Sequence, residues 1–252
     1  MELTGLNTKA LGHSFVYLQE VDSTNNYLKE RVHELPHGAA VVAAHQSAGK
    51  GRQGKQWQDE PGEVMAISIL FKEACQDIAL LPLQSGMAAC QAVRDLYGLP
   101  AQIKWPNDLI LDGKKLSGIL CESVYFHQQW AAISGIGINL NQTQESFDRA
   151  GLEYATSLGI HLGRHLEMLD LAAQVLNQLE HYYTMPFEEM LPLYCERCIT
   201  LDRQVRVIRN GQTQVGQALT VDNQGNLVCL IDGQKVAVRS GEASVRGLYG
   251  YV

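Results

Sequence analysis

The stretch KWPNDLILDGKKLSGIL, residues 104–120, holds the clearest fold signal in the chain. Two β-rich runs flank an Asp-Gly dipeptide at 112–113, which favours the two-residue turn of a β-hairpin. In a regular hairpin of this kind Asp108 lies opposite Ser117, and Asp108 and Lys115 project from the same face. The stretch therefore predicts an antiparallel hairpin that carries a cation and a carboxylate at one rim.

Further β-rich runs surround this hairpin and predict one mixed or antiparallel sheet; they lie at 14–19, 40–45, 64–71, 101–105 and 130–139. Helical spacing of apolar residues predicts helices that cover one face of that sheet, at 24–32, 83–96 and 165–183. After Thr200 the chain changes to short β-rich runs separated by turn dipeptides such as Asn210-Gly211. We therefore expect an α+β domain over residues 1–200 and a small β-barrel or sandwich over residues 201–252.

The composition excludes several classes of protein. A net charge of −7 is opposite in sign to the basic surface of a nucleic-acid binder. No uncharged apolar stretch reaches the roughly 20 residues that a membrane-spanning helix needs. The first 15 residues resemble neither an export nor an organelle signal, and the six scattered cysteines suit a reducing compartment. These features predict a cytoplasmic protein that binds neither nucleic acid nor membrane.

The segment GKGRQGKQW, residues 49–57, matches the pattern GxGxxG and comes close to a P-loop. Both interpretations fail, because no helix follows the glycines and because Gln56 stands where a P-loop needs Ser or Thr. Glycines and the cations Lys50, Arg52 and Lys55 instead favour a loop that binds an anion and becomes ordered around it. A solvated surface loop is the alternative.

Two other polar groups stand out. Ser23-Thr24-Asn25 precedes a predicted helix, where it can cap the helix or grip a polar, uncharged ligand together with Gln46. Gly135 and Gly137 interrupt a strand, which indicates either a bulge or a close approach of backbone to another group. No pattern of metal ligands and no nucleophile elbow is visible, so catalysis would depend on positioning and charge.

Taken in order, these motifs, with the stretch at 135–139, resemble those of biotin protein ligases, and the resemblance spans nearly the whole chain. It implies a class II synthetase-like α+β domain and a C-terminal SH3-like β-barrel. It also implies a two-step reaction in which ATP and biotin give biotinyl-5′-AMP, with Mg²⁺ bridging the phosphates. A lysine of a biotin carboxyl carrier protein then receives the biotinyl group.

The resemblance also implies roles for individual residues. Arg52, Lys115 and Asp108 would be catalytic; the two cations would stabilise the charge of the transition state, and Asp108 would orient or deprotonate the acceptor lysine. The expected biotin-binding residues are Ser23, Thr24, Asn25, Gln46, Lys50, Gly51, Arg52, Lys115 and Gly118. The expected ATP-binding residues are Lys50, Arg52, Trp57, Lys104, Asn107, Asn139 and Arg246. Lys50 stands where many members have Arg, which replaces a bidentate donor by a point charge.

Further expectations concern the type of ligase, its oligomeric state and the alternative functions. Only a dozen residues precede the first predicted strand, which suggests a ligase without the N-terminal DNA-binding domain that some members carry. The resemblance allows a homodimer, and the apolar strand 133–140 could pair at a sheet edge. A lipoate ligase or octanoyltransferase of similar fold is one alternative function. A module that binds biotin without turnover is another.

Overall fold

The computed structural model describes residues 3–57, 60–72, 78–209, 211–240 and 244–247. A seven-stranded sheet consists of β1 (Phe15–Leu18), β2 (Ala40–Ala43), β3 (Val64–Phe71), β4 (Gln102–Lys104), β5 (Asp108–Leu111), β6 (Lys114–Phe126) and β7 (Gln129–Asn139). The α-helices are α1 (Thr24–Glu30), α2 (Leu81–Tyr97), α3 (Gln144–Arg149), α4 (Leu158–Leu162), α5 (Met168–Thr184) and α6 (Phe187–Arg197). A second sheet consists of β8 (Gln204–Arg209), β9 (Gln212–Val221), β10 (Leu227–Ile231), β11 (Gln234–Val238) and β12 (Ser244–Gly247). This α+β architecture agrees with the predicted fold class.

The large sheet has helices on both faces, not on one face as predicted. Helices α2 and α5 cover the face to which Ile69 and Phe71 of β3 point, whereas α1 packs against Leu70 and Ile133 on the other face. The reason is visible in β3, whose eight residues are all buried. A strand that is apolar on both faces needs cover on both faces.

The strand order is β1-β2-β3-β7-β6-β5-β4. Strand β7 pairs with β3 on one side and with β6 on the other. The expectation that the strand at 133–140 could pair at a sheet edge is therefore wrong, because neighbouring strands already use its hydrogen-bonding groups on both sides.

The hairpin of β5 and β6 forms around Asp112 and Gly113, but its register differs from the prediction beyond Lys115. A β-bulge at Leu116 places Asp108 opposite Gly118 instead of Ser117. Asp108 and Lys115 nevertheless share a face, since the bulge lies beyond Lys115. The bulged strand thus brings a glycine to the position opposite the carboxylate.

The second sheet is antiparallel, with the order β11-β10-β9-β8-β12. Among the described residues its edge strands do not pair with each other, so the predicted barrel is seen as an open sheet. The indole N–H of the buried Trp105, which lies between β4 and β5, donates to the Gly225 carbonyl at 3.1 Å and so joins the two sheets. In the described part of the chain, no helix has the length and apolar character needed to cross a bilayer.

Candidate active site

A cavity opens where α1, the loop at 46–57, β6 and β7 meet. The nine residues expected to bind biotin all line it: Ser23, Thr24, Asn25, Gln46, Lys50, Gly51, Arg52, Lys115 and Gly118. Trp57 and Asn107, two of the expected ATP-binding residues, line it as well. Segments from both halves of the large sheet therefore converge on one site.

One end of the cavity is built from small polar side chains. Gln46 Oε1 accepts hydrogen bonds from Thr24 N at 2.9 Å and from Thr24 Oγ1 at 3.0 Å. Ser23 occupies the N-cap position of α1, but its side chain makes no capping bond. The simple capping alternative therefore does not account for the Ser23 side chain. These groups form a polar, uncharged surface around the start of α1.

The two glycines of β7 allow side chains to approach the strand closely. A Cβ atom on Gly135 would lie 2.3 Å from Asn25 Oδ1, and one on Gly137 would lie 3.1 Å from the Trp57 ring. A Cβ atom on Gly118, on the neighbouring strand β6, would lie 2.9 Å from the same ring. Strand β7 pairs in regular register at Gly135 and Gly137, so of the two alternatives left open by the sequence, a bulge and a close approach, the structure shows the close approach.

The ring of Trp57 lies against Gly118 and Gly137, and Lys115 Nζ is 5.6 Å from the ring centre. The indole N–H is buried and has no hydrogen-bond partner among the described residues. Leaving a buried donor unpaired is unfavourable by about 1–3 kcal/mol. A ligand acceptor beside this ring would remove that penalty.

The glycine-rich loop folds back on itself. Gly51 N donates to the Lys55 carbonyl at 2.7 Å, and Trp57 N donates to the Gly49 carbonyl at 2.9 Å. Between them lies a short 3₁₀ turn, Arg52–Gly54, and residues 55–57 and 60–63, which the structure describes before β3, are not in an α-helix. This geometry agrees with the rejection of a dinucleotide-binding or P-loop interpretation.

Arg52 links the loop to two other parts of the chain. Its Nη1 donates to Asn107 Oδ1 at 2.6 Å, and its Nη2 donates to the Ser240 carbonyl, which follows β11. Burial lowers the pKa of Arg52, and the nearby Asp108 carboxylate opposes this shift. A half-buried guanidinium therefore stands at the cavity beside the second sheet.

Several cations surround one carboxylate at the rim. Lys115 Nζ donates to Asp108 Oδ1 at 2.7 Å. Burial lowers the pKa of Lys104 to about 8, and repulsion by Lys115, Arg246 and Lys55 adds to this effect, while Asp108 opposes it. The group carries more positive than negative charge and is suited to a polyanionic ligand. Lys104 and Arg246 lie near the cavity without lining it.

Asn139 is placed differently from the other expected ATP-binding residues. Its Nδ2 donates to the Thr156 carbonyl at 2.9 Å, and its Oδ1 accepts from Gln142 Nε2 at 3.0 Å. The segment at 154–156 in turn holds the Lys115 backbone, because Lys115 N donates to the Tyr154 carbonyl at 2.6 Å. The buried Asn139 amide therefore supports the strand that carries Lys115 and does not line the cavity.

Two contributors to the site, Ser68 and Glu122, escaped the sequence analysis. Ser68 Oγ lies 2.7 Å from Thr24 Oγ1 and 2.6 Å from Asn25 Oδ1. Glu122 accepts hydrogen bonds from Asn25 Nδ2 at 2.7 Å and from Lys29 Nζ. Burial alone would raise the pKa of Glu122, but the bonds from Lys29 and Asn25 outweigh it and lower that pKa. The signal available in the sequence was that each is a polar residue within a predicted apolar strand. Such a residue is rarely buried without a hydrogen-bond partner.

The chain is similar to known proteins over both of its parts. Residues 17–139 match the family model of the biotin/lipoate A/B protein ligase family, and residues 200–246 match that of the biotin protein ligase C-terminal domain. The chain is 32% identical to the bifunctional ligase/repressor BirA of Escherichia coli (strain K12) over 244 residues, which cover 93% of this chain and 75% of BirA. It is 31% identical to the biotin–[acetyl-CoA-carboxylase] ligase of Mycobacterium tuberculosis, with 81% of this chain and 78% of that protein covered.

Among solved structures, the biotin protein ligase of Aquifex aeolicus in complex with biotin and ATP is similar, with a TM-score of 0.81. The two chains are 27% identical, and the match covers 93% of this chain and 99% of the Aquifex chain. The similarity thus extends over both sheets.

Proposed function

The chain belongs to the biotin/lipoate A/B protein ligase family, and we propose that it uses ATP to attach biotin to a lysine of a carrier protein. The observation that carries the proposal is the single cavity lined by all nine expected biotin-binding residues. The match of residues 200–246 to the biotin protein ligase C-terminal domain favours biotin over lipoate as the acid.

In the first step an oxygen of the biotin carboxylate attacks the α-phosphorus of ATP. The bond from that phosphorus to the bridging oxygen breaks, and pyrophosphate leaves with the bonding electrons. Two anions must approach each other, so cations that stabilise the phosphoryl oxygens lower the barrier. Arg52 and Lys115 line the cavity and are suited to this task, while Lys104 and Arg246 add positive charge beside it.

The polar end of the cavity suits the neutral ureido head of biotin. Gln46 Oε1 accepts two hydrogen bonds from Thr24, which holds the Gln46 amide in one orientation, and its Nε2 can only donate. The ureido carbonyl needs such donors, and the ureido N–H groups need acceptors. Ser23, Thr24 and Asn25 supply further polar atoms at the same end.

In the second step the neutral amine of the acceptor lysine attacks the carbonyl carbon of biotinyl-5′-AMP, and AMP leaves. Asp108 stands at the rim, hydrogen-bonded to Lys115, with 14% of its side chain exposed. We assign to it the orientation or deprotonation of the incoming amine. Trp57 and Asn107 are assigned to the nucleotide, and Asn139 supports the Lys115 strand from behind.

Mg²⁺ enters as part of the substrate, bound to the phosphates of ATP. The described residues contain no group of three or more His, Cys, Asp or Glu that could hold a metal ion. A site made by the protein alone is therefore not proposed. The role of the described residues is to position the phosphates and to neutralise the charge that Mg²⁺ leaves uncompensated.

The proposal also covers organisation and partners. A catalytic unit at 1–200 and a smaller unit at 201–252 agree with the start of β8 at Gln204. The name of the Mycobacterium relative points to a carboxylase as acceptor, and we propose the lysine of a biotin carboxyl carrier domain. The absence of a nucleic-acid partner is proposed from the charge of −7, and a cytoplasmic location from the six scattered cysteines, which suit a reducing compartment.

The decisive experiment is ATP–pyrophosphate exchange without carrier protein, with biotin, lipoate and octanoate compared in parallel. We expect exchange that depends on biotin and on Mg²⁺. Exchange with lipoate or octanoate instead would move the activity to the other branch of the family. No exchange with any acid, together with tight binding of biotin, would indicate a binding module and contradict the proposal.

A further inference from the structure

The amide of Asn25 is almost fully committed to the protein. Its Nδ2 donates one hydrogen bond to Glu122 Oε2 at 2.7 Å and one to the Leu120 carbonyl at 3.2 Å, which uses both of its N–H bonds. Its Oδ1 accepts one hydrogen bond from Ser68 Oγ at 2.6 Å. An amide oxygen has two lone pairs, so the remaining capacity of Asn25 toward a ligand is to accept.

An amide in the opposite orientation would present the opposite chemistry. Exchange of Oδ1 and Nδ2 would place an N–H group where the ligand now meets an acceptor. Asn25 lines the cavity and is only 4% exposed, so water does not easily compensate a mismatch there. The orientation of one side chain therefore decides whether a ligand N–H or a ligand carbonyl is accepted.

We propose that Glu122 is a positioning residue that fixes this orientation, so that Asn25 accepts a hydrogen bond from the ureido N–H of biotin. A carboxylate has two oxygens and no donor. In Glu122 one oxygen takes the ammonium of Lys29 and the other takes Asn25 Nδ2. Lys29 thus keeps the first oxygen occupied, and the second oxygen can be satisfied by Asn25 only through an N–H.

The ion pair with Lys29 gives the proposal a sharp test. In Glu122→Gln the single side-chain oxygen is drawn to the Lys29 ammonium, which leaves an NH₂ group facing Asn25 Nδ2. Two donors repel at the position of the shorter bond, 2.7 Å against 3.2 Å for the bond to the Leu120 carbonyl. The Asn25 amide therefore turns over, gives up the Leu120 bond and loses its acceptor toward the ligand. Removing the ammonium as well, by Lys29→Met, frees the Gln oxygen to turn toward Asn25 and restores the original orientation.

The experiment measures biotin binding by titration calorimetry and the KM for ATP by pyrophosphate exchange. Glu122→Gln is expected to weaken biotin binding about tenfold, the loss of one well-placed hydrogen bond to a buried group, with the KM for ATP unchanged. Lys29→Met alone leaves Glu122 and Asn25 in contact and is expected to change biotin binding by less than about twofold. The double variant is expected to recover most of the lost affinity, although it carries one more substitution.

A merely structural role for Glu122 gives a different pattern, in which the double variant binds biotin no better than Glu122→Gln. That result, or equal losses for biotin and ATP, or unchanged biotin binding in Glu122→Gln, would overturn the proposal. So would unfolding of Glu122→Gln that Lys29→Met does not reverse. The inference rests on the proposed function, and the unsubstituted protein separates the two: if it does not bind biotin, the proposed function fails first.

Discussion

Lys104 should make the binding of ATP depend on pH. Burial and the neighbouring cations lower its pKa to about 8 in the protein without ligand. The phosphates of ATP favour the charged ammonium and raise this pKa again, so binding above pH 8 requires uptake of a proton. Affinity for ATP is therefore full below pH 8 and falls as the pH rises above it.

The size of the effect follows from linkage. For one group the dissociation constant grows in proportion to one plus the ratio of neutral to protonated Lys104, as long as the complex stays protonated. With a pKa of about 8, binding at pH 9 is about tenfold weaker than at pH 7. With Mg²⁺ bound, the phosphates of ATP stay ionised throughout this interval, which leaves the protein as the source of the change.

The assay is calorimetric titration of ATP with an excess of Mg²⁺ from pH 7 to pH 9, without biotin, so that the first step cannot occur. Lys104→Met should bind more weakly and with little dependence on pH. Lys72→Met is the matched control, because burial also lowers the pKa of Lys72, which lies over the Phe126 ring and does not line the cavity. A flat profile for the unsubstituted protein, or a full pH dependence in Lys104→Met, would refute the reasoning.

Three further predictions concern single substitutions. Gly135→Ala places a Cβ atom 2.3 Å from Asn25 Oδ1 and should weaken biotin binding in calorimetry by at least about tenfold; unchanged affinity would show that Asn25 does not contact biotin. Gly86→Ala, in the middle of α2, meets Ile119 at an ordinary 3.5 Å and should raise the free energy of unfolding in urea by about 0.5–1 kcal/mol; a loss of stability would contradict this packing. Lys115→Ala should slow pyrophosphate exchange by about 10²–10³-fold with an unchanged unfolding midpoint, and a normal rate would remove Lys115 from the reaction.

Local patterns allowed much of the site to be predicted. Short contiguous stretches of sequence were enough to identify three features: the Asp112-Gly113 turn, the glycine-rich loop and the polar residues at the start of α1. The roles of Ser68 and Glu122 could not be identified in this way, because both bind Asn25, which lies 43 and 97 residues away from them in the chain. Such contacts depend on which strands become neighbours, which periodicity does not encode.

Strand order explains the errors in the fold as well. Strand β7 has the apolar texture of any buried strand, and nothing in its sequence says that β3 and β6 flank it. The sequence gives no sign of the bulge at Leu116 either, since a bulge needs only one extra residue in one strand. The three helices that were not predicted are short or, like α6, contain a proline at Pro192. A short run gives few repeats of the apolar spacing, and a proline inside a run argues against a helix.

The two bonds of Arg52 limit how the molecule can be divided. A fragment that ended before Ser240 would keep every residue that lines the cavity, yet it would lose one of the two anchors of the loop guanidinium. The second sheet thus helps to hold the glycine-rich loop in place, and removing it would alter the loop as well. A fusion partner or a pulling force at the end of β11 would act on the Ser240 carbonyl and, through its bond to Arg52, on the loop that lines the cavity. This junction is therefore a suitable place for a mechanical or optical reporter.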